Sequence, residues 1–233
     1  MRRPGPAEGK AMDNIIISLL TAAACSLAGL LLLRMAEQYI QAVDEAERTS
    51  IPLPSIRVTA VIMTVIHLGL ALFLPWFYGL GVIQLLRTLL MSAILWACAW
   101  ADAGACLIPN RVLAVGTVLS AAVLLLELAL NPGDARYLLV QTAVGVVALL
   151  LAAGLCRAVS PKAVGMGDVK LLTVMGFCLG MELVWPALFF SFVSIFCVCL
   201  VLLITRRAKR TDSIPFAPFL LAGTLLAAFL TGI

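Results

Sequence analysis

The sequence predicts an all-α protein, a polytopic transmembrane helical bundle of about eight helices with both termini outside. Three observations carry that prediction. The 233 residues are 63% hydrophobic and only 12% charged, whereas soluble domains carry roughly a quarter charged residues. Mean hydropathy is +1.12, more apolar surface than a water-soluble fold can bury. The apolar residues also fall in runs near the length of a bilayer crossing, about 20 residues at about 1.5 Å each.

In chain order the expected spans are Ile15 to Met35, Val58 to Leu74, Val82 to Trp100, Val112 to Leu130, Leu138 to Cys156, Val169 to Val184, Ala187 to Ile204 and Phe216 to Ile233. Pro75 and Pro186 are expected to punctuate the segments around them, since proline removes a helical donor and clashes with the preceding turn. The basic, Pro/Gly-rich start "MRRPGPAEGKAMDN" precedes a run long enough to span, so the first helix is read as retained rather than as a cleaved signal. The chain divides at residue 57, with the first helix and a short acidic loop in 1–57 and the remaining core in 58–233. In that loop "EQYIQAVDEAER" extends the first helix as an amphipathic stub, and "TSIPLPS" breaks it.

Charge orients the bundle. One set of alternate connections and helix ends holds Arg34, Arg48, Arg57, Arg111, Arg157, Lys162, Lys170, Arg206, Arg207, Lys209 and Arg210. The other holds Arg2, Arg3, Lys10 and Arg136. The positive-inside bias puts the first set in the cytoplasm, with "RRAKR" at 206–210 facing anionic lipid. The net charge of +4 is therefore topogenic, and no nucleic-acid partner is expected. Of the seven cysteines only Cys106 lies outside an apolar run, and no CxxC occurs, so no metal site is expected.

Ionisable groups at membrane depth are costly and each needs a reason. His67, the only histidine, is read as a hydrogen-bonded packing residue. Gln84 and Arg87 lie one turn apart and pair with a carboxylate or line a polar cavity. Glu127 reaches the outer headgroups. Asp102 and Asp168 differ: both fall at the cytoplasmic edge, in "WADAGACLIPNRV" and "GMGDVKLL". A lone Asp168 would be a helix cap, but that leaves Gly165 and Gly167 unexplained. Glycines permit close backbone approach or positive φ. Two carboxylates at one depth suit an aspartic dyad, in which one takes a proton from water and the other donates one.

At this point the residues resemble a family. "DAGACLIPN", "GMGDVKLL" and "IPFAPFLLAG" are similar to the three signatures of the type IV prepilin peptidases, the GxGD membrane aspartic proteases of pilin export and type II secretion. Asp102 with Ile108, Pro109 and Asn110 matches the first. Gly165, Gly167, Asp168, Lys170 and Leu171 match the second. Pro215, Phe216, Pro218 and Phe219 match the third. The resemblance covers Val82 to the C-terminus. Bifunctional members carry a cytoplasmic insert with two CxxC pairs, and residues 37–57 here contain no cysteine.

The resemblance implies that Asp102 and Asp168 are catalytic and that the substrate is a prepilin or pseudopilin with a short basic leader. It also implies a multi-pass protein of a prokaryotic inner membrane. Proteolysis of this type needs no cofactor; S-adenosylmethionine enters only if N-methylation is retained. Lys170 tunes or orients the site. Asp44, Glu45 and Glu47 attract the basic leader. Asp168, at a helix N-terminus, is expected to start ionised, and Asp102, at a helix C-terminus, protonated. The rival readings are a transporter or channel lined by Asp102, Asp168 and Arg87, and an inactive scaffold of a pilus or secretion machine. A presenilin-like GxGD protease ranks below these, because Ala101 rather than Tyr precedes Asp102.

Overall fold

A computed structural model describes residues 6–43, 53–159, 165–205 and 214–232, with side chains from residue 14 onward. These residues form a helical membrane bundle, with no strand among them. The helices are α1 (Pro6–Gln41), α2 (Ile56–Tyr78), α3 (Val82–Ala105), α4 (Asn110–Leu130), α5 (Ala135–Val159), α6 (Met166–Ile204) and α7 (Ala217–Thr231), with a single 3₁₀ turn at Pro132–Asp134. Six are long and apolar enough to cross a bilayer. The exception, α7, has 15 residues, and its length of about 22 Å falls short of a core of about 30 Å.

Pro75 does not end the second span. It lies inside α2, which runs on to Tyr78 and stops at Gly79, whose φ of 66° is the left-handed C-cap that glycine adopts without strain. The sixth and seventh expected spans are one element, α6, interrupted at Gly180 rather than at Pro186. Gly180 has φ 74° and ψ 179°, a region essentially restricted to glycine. Pro186 sits inside the second arm.

The chain folds back at Gly180. Along the first arm, Gly176 lies against Gly145 and Gly180 against Gln141, so this arm runs antiparallel to α5. In the second arm Ser191 lies against Gly223, and the Phe192 ring is 6.3 Å from that of Phe216. Phe216 immediately precedes Ala217, whose N–H bonds Asp102, and Asp102 interacts electrostatically with Asp168. In a straight helix Phe192 would stand about 36 Å from Asp168. Only a reversal lets both arms reach the same end of the bundle, which gives eight helical segments in seven continuous elements.

α3 is the most buried span. It packs against α1, α2, α4, α6 and α7 and buries Leu85, Leu89, Met91, Ile94 and Leu95 completely. Because lipid is as apolar as leucine, close helix contact here depends on small residues and internal hydrogen bonds. A Cβ on Gly145 would lie 2.8 Å from the Gly176 carbonyl oxygen, and one on Gly176 would lie 2.6 Å from the Gly145 carbonyl oxygen. His67 is fully buried between Ser26 (Nδ1 to Oγ, 3.2 Å) and Ser92 (Nε2 to Oγ, 2.8 Å). Both ring nitrogens are satisfied, as a packing residue requires.

Arg87 supports the fold-back. Its Nε donates to the Cys178 carbonyl at 2.7 Å, one of the carbonyls at the end of the first arm that lack a helical partner. Its NH1 donates to Glu127 Oε2 at 3.1 Å. Glu127 is therefore held by Arg87 rather than simply reaching headgroups. The pair borders a polar cleft of about 370 Å³ that Gln84, Tyr137, Gln141 and Glu182 also line. Tyr137 donates to Glu182 there.

Candidate active site

The site is assembled where α3 ends and α6 and α7 begin. Asp102 lies in the last turn of α3 and is 4% exposed. The helix closes at Cys106, in the left-handed region at φ 51°, whose N–H returns to the Asp102 carbonyl at 2.7 Å. Leu107 to Pro109 are extended, and Asn110 opens α4. Proline at 109 starts that helix without a backbone donor to place.

The side chain of Asp102 points at α7. Its Oδ2 accepts the Ala217 N–H at 2.8 Å. Phe216, at the N-cap of α7, has no side chain able to cap. Asp102 therefore caps α7 from another helix, satisfying an amide that would otherwise be orphaned. Pro215 and Pro218 flank this start, and proline's fixed φ suits the first helical turn.

Asp168 occupies the first turn of α6 and is half-buried. Its Oδ2 accepts the Gly165 N–H at 3.1 Å, the reach-back of a third-position carboxylate to the N-cap. The two glycines are explained by close approach and not by positive φ. A Cβ on Gly167 would meet the Ile108 Cβ at 3.0 Å, and one on Gly165 would meet Asp168 Oδ2 at 3.0 Å. Ile108 thus presses directly on the backbone beside Asp168. Lys170 Nζ donates to Asn110 Oδ1 at 2.9 Å, joining the first turns of α6 and α4.

All three sequence motifs meet here, and Asp102 and Asp168 are close enough to repel one another as like charges. Asp168 lies at a helix N-terminus and Asp102 near a helix C-terminus, as expected, but a second helix start also faces Asp102. Asp102 ends α3, but its carboxylate faces the positive end of α7. Asp44, Glu45 and Glu47, with Lys162 and the cluster at 206–210, lie outside the described residues.

Sequence reasoning placed the turn between the sixth and seventh spans at 185–186 instead of at Gly180, and it missed the Tyr137–Glu182 contact. The one available signal was Gly180 followed by Glu182 within an apolar run, and Pro186 outweighed it. Among the described residues no group of three or more His, Cys, Asp or Glu is arranged to hold a metal ion.

The model of the type IV leader peptidase family matches residues 89–204. A curated relative, the prepilin leader peptidase/N-methyltransferase of Bacillus subtilis (strain 168), is 32% identical over 145 residues, which is 62% of this chain and 56% of that protein. The match thus spans little more than half of that relative's length. No solved structure matches.

Proposed function

Because this chain belongs to the type IV leader peptidase family, we propose that it is a membrane-embedded aspartic endopeptidase that removes the short basic leader of a prepilin or pseudopilin. The observation that carries this is the meeting of Asp102, held by the first amide of α7, with Asp168 in the first turn of α6. The peptidase core is residues 58–233, with the first helix packed along α2 and α3.

Hydrolysis needs one carboxylate and one carboxylic acid. Water adds to the scissile carbonyl carbon and loses a proton to the carboxylate, while the acid protonates the carbonyl oxygen. The resulting tetrahedral diol collapses as the C–N bond breaks, a carboxyl proton passes to the departing nitrogen, and one diol hydroxyl gives its proton to the other carboxylate. Two carboxylates that repel one another are disfavoured from being ionised together, which suits a pair in which one takes a proton while the other gives one. Backbone N–H donors to both carboxylates keep their orientation fixed as the proton moves.

The dyad end of the bundle also carries Arg34, Arg57, Arg111 and Lys170, and the far end carries Arg136. That asymmetry supports a cytoplasmic dyad in the inner membrane of a prokaryote. The acidic sequence that follows α1, with Asp44, Glu45 and Glu47, is assigned the role of attracting the leader's cations.

The printed name of the Bacillus subtilis relative includes N-methyltransferase. The described residues near the dyad do not fit S-adenosylmethionine, whose charged and polar groups need polar partners. The cleft beside the first turn of α6 is apolar, and the polar cleft at Arg87 lies about 22 Å along α3 from Asp102.

The test is cleavage of a prepilin in detergent or bilayers by wild type, Asp102→Asn and Asp168→Asn. Each variant should lose about 10²- to 10⁴-fold in rate with its fold intact. Cleavage that survives either change would discard the dyad. Reversing Glu45 and Glu47 to lysine should raise KM with kcat little changed; an unaltered KM would remove the leader-attraction role.

A further inference from the structure

We propose that the polar cleft at the end of the bundle opposite Asp102 and Asp168 binds the head of a zwitterionic phospholipid that carries a primary ammonium, of the phosphatidylethanolamine class. This site is independent of the peptidase reading. The cleft encloses about 370 Å³ and is built from helix ends. Gln84 comes from the first turn of α3, Asn131 closes α4, Asp134 lies in the 3₁₀ turn, Tyr137 is in the first turn of α5 and Glu182 follows the bend of α6. Ends of membrane-spanning helices meet where headgroups replace hydrocarbon. Tyr137 is 55% exposed, and Trp185, about one turn beyond Glu182, is 52% exposed, the amphipathic aromatics of a membrane interface.

The wall has unmet groups of both signs. It carries the carboxylates of Glu127, Asp134 and Glu182 against the single guanidinium of Arg87, three negative charges to one positive. Arg136 is exposed and lies outside the lining. Arg87 is nine-tenths buried. Its Nε donates to the Cys178 carbonyl and one terminal nitrogen donates to Glu127. The other terminal nitrogen has no acceptor among the described residues, and a buried guanidinium donor left unmet is costly. Glu182 receives only neutral donors, and both reach the same oxygen: the Tyr137 hydroxyl and Gln141 Nε2 donate to Oε1. Among the described residues Glu182 Oε2 has no donor, and the Asp134 carboxylate has none either.

These groups select the guest. A primary ammonium offers N–H donors and positive charge to Asp134 and Glu182, and a phosphate oxygen on the same molecule accepts from Arg87. A bare metal ion meets only the carboxylates, and no group of three or more His, Cys, Asp or Glu among the described residues is arranged to hold one. A choline head has the charge but no N–H to donate. An anionic glycerol head has a phosphate for Arg87 but meets the excess carboxylates with charge of their own sign. Leu138, Leu179 and Leu183 complete the wall. They suit the acyl end of a lipid, which a free headgroup lacks.

The test titrates the full chain in a neutral detergent with phosphatidylethanolamine, phosphatidylcholine and phosphatidylglycerol of identical acyl chains, with bound lipid counted by native mass spectrometry. Phosphatidylethanolamine should bind about tenfold more tightly than either of the others, the worth of about one charge-assisted hydrogen bond. Asp134→Asn combined with Glu182→Gln should abolish that preference. Both positions are exposed, and glutamine keeps an acceptor for Tyr137. Soluble phosphoethanolamine should bind at least about tenfold more weakly than the lipid, since it buries no acyl chain. Equal binding of the three lipids, or a preference that survives in the double variant, would overturn the site. Equal affinity for soluble phosphoethanolamine would make the free head the ligand and remove the lipid. Displacement of phosphatidylethanolamine by calcium alone would turn the cleft into a cation site and overturn the proposal as well. None of these outcomes bears on cleavage by the dyad.

Discussion

Asp102 has two roles that different substitutions can separate. As the acceptor of the Ala217 N–H it caps α7, and as a carboxylate it belongs to the proposed dyad. Asparagine keeps an acceptor oxygen and alanine does not. Asp102→Ala should therefore unfold more readily than Asp102→Asn by about 0.5–2 kcal/mol, the usual worth of a cap, while the proposed dyad predicts that both lose activity. Thermal unfolding in detergent measures this, and equal midpoints would mean that the cap contributes nothing. Gly167 makes a second case. In a helix, alanine is favoured over glycine by up to about 1 kcal/mol, but here its Cβ would press on the Ile108 Cβ at 3.0 Å. Gly167→Ala should lower kcat by about tenfold or more through displacement of Asp168, since misplacement by about 1 Å can cost about 10²-fold. Full activity in that variant would show that Ile108 can yield.

At the scale of the element, α6 is the unusual part. Its two arms need a residue at φ 74° and ψ 179°, and Gly180 supplies it. Gly180→Ala should cost about 1–3 kcal/mol of stability through backbone strain. Arg87 is the more sensitive partner of that bend. Replacing it with methionine strips the Cys178 carbonyl of its donor and leaves Glu127 without its cation at membrane depth. Breaking a buried pair from one side costs about 3–5 kcal/mol. Adding Glu127→Gln to Arg87→Met should recover part of that loss, because the unpaired charge goes while the bare carbonyl remains. Additive losses in the double variant would show that the two side chains act independently.

At the scale of the whole molecule, the proposed dyad depends on three helix ends arriving at one place. α3 delivers Asp102, the first arm of α6 delivers Asp168, and α7 delivers the amide that holds Asp102. The proposed orientation places that end in the cytoplasm. In a cysteine-free background, a cysteine at Gly133 should then react with a membrane-impermeant maleimide in intact cells. One at Arg111 should react only after permeabilisation. The opposite pattern would invert the bundle and remove the cytoplasmic cleavage face.

The membrane class and most spans were legible in the sequence because a bilayer imposes a length and a polarity that one-dimensional hydropathy records directly. The two aspartates stood out for the same reason: charge is rare in such a chain, so each ionisable group demands an explanation. What Gly167 beside Asp168 was for was not legible, because the need for it comes from Ile108, about sixty residues earlier. The ends of α2 and of the first arm of α6 were misplaced because Pro75 and Pro186 signal a break locally. The chain instead turns at Gly79 and Gly180, where a positive φ favours glycine. The equal claim of Asp102 and Asp168 on a helix N-terminus was decided by tertiary structure alone. Sequence places Asp102 at the end of its own helix, and only packing brings the start of another helix to its carboxylate.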